Sequence, residues 1–228
     1  MTSTLARVLQ LASTTLPVGA FSYSQGLEWA IEAGFVHDEA STCDWLATTL
    51  EAGVGAWDAT WVARLMDAWQ QSDDITIRAL SERFLASRET RELYAETCQM
   101  GRSMLELVRD DASVPAATLA LLEELDRQEL LSYPTAWTAL TTHRSVSAQD
   151  AVIAYLWAWL ESAVLASLKA VPLGQKSGQR LLLELGGRLD AIGLRAINRS
   201  ANDCSNLLPG FTLASMQHET QYTRLFRS

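Results

Sequence analysis

The sequence predicts an all-α protein, one compact helical domain with an irregular N-terminal loop and a C-terminal tail. Three observations carry that prediction. Apolar residues recur at three- and four-residue spacing through most of the chain. Sustained alternation is absent, and so are Asn-Gly and Asp-Gly hairpin turns. No internal repeat or low-complexity linker divides the 228 residues, so 1–228 reads as a single domain.

Taken in order, Leu46, Leu50 and Val54 repeat on one helical face behind a capping box at Ser41 and Asp44. Trp57, Trp61, Leu65 and Trp69 form a second stripe, which at this spacing reads as core, and Ser72-Asp73-Asp74 ends it. Ile77, Leu80 and Phe84 open another helix. Leu93, Thr97, Met100, Met104 and Leu107 carry the next as far as Asp110-Asp111. Val114-Pro115 restarts the chain, and Tyr133-Pro134 breaks it again. Ser147 and Asp150 cap an apolar helix from Ala151 to Val171, which Pro172 and Gly174 end. Leu182, Leu185, Leu189 and Ile192 mark one further helix. Asn198 to Gly210 reads as an irregular surface segment. The charged run Ser87 to Glu92 reads as a solvated helix face with i,i+3 pairs in preference to a polar docking patch.

Composition narrows the function. Apolar residues make up 48% and charged residues 20%, enough to bury a core. The formal charge of -9 opposes binding to nucleic acid or anionic lipid, and the Arg residues are interleaved with acids. The apolar helix is long enough to raise a membrane question. It carries Glu161 and Lys169, however, and each charge at a bilayer centre costs about 2.5–3.5 kcal/mol. A buried central helix is the expectation. Cys43, Cys98 and Cys204 give neither a disulfide framework nor a CxxC pair, and the N-terminus lacks the apolar run of a signal peptide; the cytoplasm is expected.

No catalytic site is written in the chain. Ser24 has Gly26 after it but Ser22 before it, so no nucleophile elbow forms. Gly174-Gln175-Lys176-Ser177 has the wrong spacing for a phosphate loop, so no nucleotide or other cofactor is expected. His37, His143 and His218 lack a His or Cys partner at i+3 or i+4. No metal site follows; His218, beside Glu219 in an unusual tail, is the one weak candidate. Lys169 ends the apolar helix, either complementing its dipole or standing at the rim of a contact surface. Both chain ends are odd for filler: Ser13 to Gly26 is punctuated by Pro17, Gly19 and Gly26, and His218 to Ser228 is dense in aromatic and Arg residues.

These segments resemble a known family. Leu11-Ala12-Ser13 followed by Leu16-Pro17-Val18-Gly19-Ala20-Phe21-Ser22-Tyr23-Ser24-Gln25-Gly26-Leu27-Glu28 is similar to the N-terminal signature of the urease accessory protein UreF family. Glu161-Ser162-Ala163 through Lys169-Ala170-Val171-Pro172-Leu173-Gly174-Gln175 resembles its central helix and turn, and His218 to Ser228 its tail. Ala20 departs from a frequent Gly, Gln217 from a common Arg, and Asn198 to Leu208 matches poorly. The resemblance implies a UreF-like helical bundle that forms homodimers and acts as a non-catalytic maturation factor. Such proteins bridge a UreD/UreH-type scaffold and the GTPase UreG, regulating GTP hydrolysis as nickel is delivered to the urease apoprotein. It implies a signature loop over 12–28 and a partner-binding tail over 218–228. Tyr222, Arg224, Leu225, Phe226 and Arg227 would meet the scaffold, and would order on binding it. Tyr23, Glu28 and Lys169 would face the GTPase. Val164 and Leu168 on the apolar helix are candidates for the dimer interface. A competing function is a nickel carrier acting through His218 or cysteines across a dimer.

Overall fold

The computed structural model describes residues 3–200 and 203–228. Among them lie twelve α-helices and no strand. In chain order these are α1 (Thr4–Leu11), α2 (Leu27–Glu32), α3 (Glu39–Thr48), α4 (Asp58–Gln71), α5 (Asp74–Ala86) and α6 (Arg91–Arg109). They continue with α7 (Ala116–Arg127), α8 (Tyr133–His143), α9 (Ala148–Ala170), α10 (Gln175–Gly186), α11 (Leu189–Asn198) and α12 (Pro209–His218).

Helix α8 is the hub, packed against α4, α5 and α6, with every residue from Tyr133 to Thr141 buried. A helix buried all round must satisfy its own polar groups. Thr138 Oγ1 donates to the Pro134 carbonyl at 2.7 Å and Thr141 Oγ1 to that of Trp137 at 2.6 Å. Trp69 Nε1 donates to the Thr135 carbonyl at 3.2 Å, tying α4 to α8. Gly101 lets α6 come close: a Cβ there would stand 3.0 Å from the Ser132 carbonyl carbon. The Trp57–Trp69 stripe is core as expected, with Trp57 and Trp61 stacked at 4.1 Å between ring centroids.

Helix α9 begins where Ser147 accepts from the Asp150 N–H at 3.1 Å, and it packs on α4, α10, α11 and α1. It is the one helix among the described residues long and apolar enough to cross a membrane, and half of its most apolar window is buried against the rest of the chain.

Several local expectations need correction. The capping box of α3 lies one turn earlier than Ser41 and Asp44. Asp38 accepts from the Ser41 N–H at 2.8 Å, and the Ser41 hydroxyl accepts from the Asp38 N–H at 3.1 Å. Tyr133-Pro134 starts a helix, because Ser132 caps it and a proline in the first turn has no N–H to lose. Leu182 to Ile192 spans two helices, divided at Gly186-Gly187, where glycine is a poor helix former. Of the segment expected to be irregular, Asn198 to Gly210, residues 201 and 202 lie outside those described; Asn198 ends α11 and Pro209 already opens α12.

Candidate protein-interaction site

The two ends of the chain and the end of α9 meet in one place. The loop before α2 turns through positive φ at Gly19, Gln25 and Gly26. Gly26 is required twice over, because its φ is +80° and a Cβ would stand 2.8 Å from the Ser215 nitrogen on α12. Past α12 the tail folds back over this loop. Arg227 N–H donates to the Ser22 carbonyl at 2.8 Å, and the Ser24 and Gln25 N–H groups donate to the Ser228 main-chain oxygen at 2.6 and 3.0 Å. The Ser24 hydroxyl donates to the same oxygen at 2.6 Å.

Glu28, on the first turn of α2, is the anchor. It is buried, and its two oxygens accept from the Leu225 N–H at 2.7 Å and the Phe226 N–H at 2.9 Å. His218, fully buried, places Nε2 3.3 Å from Glu28 and Nδ1 2.6 Å from Glu92. Both contacts are donor to acceptor only when the ring carries two protons. Arg224 Nη1 donates to the other Glu92 oxygen at 2.6 Å. Glu219 accepts from the first N–H groups of α6, Arg91 at 2.7 Å and Glu92 at 3.3 Å, where the helix dipole favours an anion.

Phe226 is buried among Leu27, Ala30, Val36, Ala166 and Val171. Lys169, exposed at the end of α9, holds its Nζ 5.7 Å from the Phe226 ring centroid and 5.8 Å from that of Phe21. One ammonium thus sits against an aromatic ring from each end of the chain. On the loop and tail that meet here, Phe21, Tyr222, Leu225 and Arg227 are exposed to solvent.

Each expected site residue can now be placed. Tyr222, Leu225 and Arg227 are exposed, Arg224 is tied to Glu92, and Phe226 is an internal anchor. The tail is packed onto the body in the isolated chain, where ordering only on binding was the expectation. The cause is the set of carboxylates waiting for its N–H groups. Lys169 is exposed, whereas Tyr23 and Glu28 are buried. Val164 faces the core of its own chain, and Leu168 packs over Gly178. The run Ser87 to Glu92 is no solvated face: it spans the turn between α5 and α6, and Arg88 and Glu92 point inward to Asp58 and to His218.

His218 has both ring nitrogens engaged by carboxylates on opposite sides, so the three groups share no point for a metal ion. Among the described residues no cluster of three or more His, Cys, Asp or Glu is placed to hold one. Sequence reasoning missed Glu92, Gln25 and Glu96. Gln25 Nε2 donates to Glu96 at 2.6 Å, Trp159 Nε1 donates to Gln25 at 2.7 Å, and Ser228 Oγ donates to Glu96 at 2.8 Å. A signal existed for Glu96: between Leu93 and Met100 it is a carboxylate on the apolar face of α6.

The family model UreF matches residues 36–186, the helical body between the two ends. Similar full-length relatives cover both ends as well. The urease accessory protein UreF of Dechloromonas aromatica (strain RCB) is 50% identical over 224 residues, 98% of this chain and 97% of that protein. That of Azoarcus sp. (strain BH72) is 50% identical over 227 residues, 98% and 95% of the two chains. That of Methylobacillus flagellatus is 41% identical over 224 residues, 98% and 97%. With its helical body matching the family model and half its residues identical to full-length members, the chain belongs to the UreF family.

Proposed function

We propose that this chain serves urease maturation as a non-catalytic adaptor. It bridges a UreD/UreH-type scaffold and a UreG-type GTPase, and it regulates GTP hydrolysis while nickel, as cargo, is inserted into the urease apoprotein. The observation that carries this reading is the meeting of Phe21, Lys169 and the 218–228 tail in one exposed cationic and aromatic patch on an otherwise acidic chain. Aromatic and Arg side chains are the usual anchors of protein interfaces. Tyr222 and Leu225 extend from a tail whose backbone is already fixed, so docking them costs little ordering entropy. Tyr222, Arg224, Leu225 and Arg227 form the scaffold side, with Phe226 anchoring the tail beneath them. Lys169 forms the GTPase side, and Tyr23 and Glu28 act on it from within by holding loop and tail. Because Lys169 contacts Phe226, the two sides are adjacent.

A homodimer belongs to the same proposal. It is supported by Leu183, Leu194 and Ile197, which leave apolar surface on the outer faces of α10 and α11. A cytoplasmic setting is supported by three free cysteines and an acidic surface. The nickel-carrier alternative gains no support from His218, which is fully buried.

The test is a pull-down with the tagged chain, the scaffold and the GTPase, alone and together. Capture of the GTPase should need the scaffold. Equal capture without the scaffold would reject the bridging role.

A further inference from the structure

Beneath the N-terminal loop lies a cavity of about 90 Å³, bounded by α3, α4, α6, α8 and α9. At about 30 Å³ per water it has room for roughly three waters or one small solute. Its walls are largely aromatic, with Trp45, Tyr133, Tyr155 and Trp159 among them.

Two features set it apart from a packing defect. Tyr133 and Tyr155 are each only 8% exposed and line the cavity; their hydroxyls keep a little open surface, yet meet no hydrogen-bond partner among the described residues. A buried tyrosine hydroxyl ordinarily finds one. Glu96, also on the wall, is a buried carboxyl without a counter-ion: its oxygens accept only from the neutral Gln25 and Ser228 side chains. The one cation on the wall, Arg88, is paired with Asp58 at 3.4 Å and stacked on Phe84 at 4.2 Å. Asp58 and Glu96 both act on the Tyr155 hydroxyl through space.

An unbalanced carboxyl, two tyrosyl oxygens with free lone pairs and π-faces together form a recognition set for a small cation rich in N–H donors. An anion would meet Glu96 and Asp58. We propose that this cavity binds one ammonium-type cation, ammonium itself or methylammonium, held by Glu96 and the hydroxyls of Tyr133 and Tyr155. The site lies beneath the exposed patch, sharing Glu96 with the contacts that hold Gln25 and Ser228, and does not depend on any partner.

Burial holds Glu96 up to about 7, against the opposing effect of Arg88 and with that of Asp58. The other titrating groups on the wall are Tyr23, Tyr133 and Tyr155, all raised by burial. Cation binding therefore strengthens as pH rises through about 7 and Glu96 ionises.

The experiment is thermal melting of the full chain in ammonium chloride and in sodium chloride at equal ionic strength, at about pH 6 and about pH 8, either side of the Glu96 value. Ammonium should give a saturable rise in Tm at the higher pH and a smaller one at the lower, and sodium should give neither. Tetramethylammonium, which has no N–H, should behave like sodium. Glu96→Gln should abolish the ammonium-specific rise. Tyr155→Phe, which removes one oxygen within the same packing, should weaken it and serves if the first variant does not fold. Equal responses to ammonium and sodium at both pH values would mean a merely hydrated cavity and overturn the proposal. An ammonium response unchanged in either variant would overturn it too.

Discussion

The hub around α8 and the junction of the chain ends are held together by different physics. Around α8 the buried side chains are apolar or neutral: Thr138 and Thr141 donate to carbonyls of their own helix and Thr135 to Ser81 on α5, so no charge is involved. At the junction Glu28, Glu92, Glu96 and His218 hold main-chain and side-chain donors that come from far along the sequence. Apolar packing responds to lost volume and hardly to pH. A charged, buried network responds to single atoms and to protons, and it can open locally while the hub stays folded.

Predictions follow that contrast, from the largest effect to the smallest. Trp137 is fully buried in the hub, so Trp137→Ala should cost about 3–5 kcal/mol in denaturant unfolding. The same loss should appear at acid and neutral pH.

The junction should show the pH dependence that the hub lacks. Glu96 is held up to about 7 in the folded chain, above its ordinary value of 4.5. The folded state therefore keeps a proton that the unfolded state has released. This contribution is fully present below about pH 4.5 and is lost as pH rises through about 7. Its upper bound is on the order of 3 kcal/mol. Glu96→Gln should flatten that part of the stability–pH curve, and an unchanged slope would remove Glu96 from the account.

Glu28→Ala should cost about 1–3 kcal/mol by leaving the Leu225 and Phe226 N–H groups unpaired. Hydrogen exchange should speed up at those two amides, while the amides of α8 stay protected. Equal speeding in both places would merge the regions that the comparison separates. Lys169→Ala should change Tm least, since an exposed cation–π contact is worth about 0.5–1 kcal/mol. Its effect should appear in GTP hydrolysis by the partner instead. A lowered Tm with hydrolysis unchanged would make Lys169 a structural cap.

The contrast also explains what could be read from the sequence. Helices α4, α6 and α9 were legible because apolar periodicity needs only near neighbours. The cap of α3 was misplaced by one turn because Asp38 and Ser41 offer the same chemistry as Ser41 and Asp44. The junction was legible only in part. Resemblance marked the loop, Lys169 and the tail, but not that Glu28 reaches residues nearly two hundred positions away. Glu92 looked solvated because its partners, His218 and Arg224, are equally remote.

The central claim is that the patch around Lys169 and the tail exists to bind a partner. It is tested most directly with Tyr222→Ala/Leu225→Ala, which removes two exposed side chains that support nothing inside the fold. The measurement is co-purification of the UreD/UreH-type scaffold, with Tm recorded on the same sample. Lost capture at unchanged Tm is the predicted result; undiminished capture would contradict the claim.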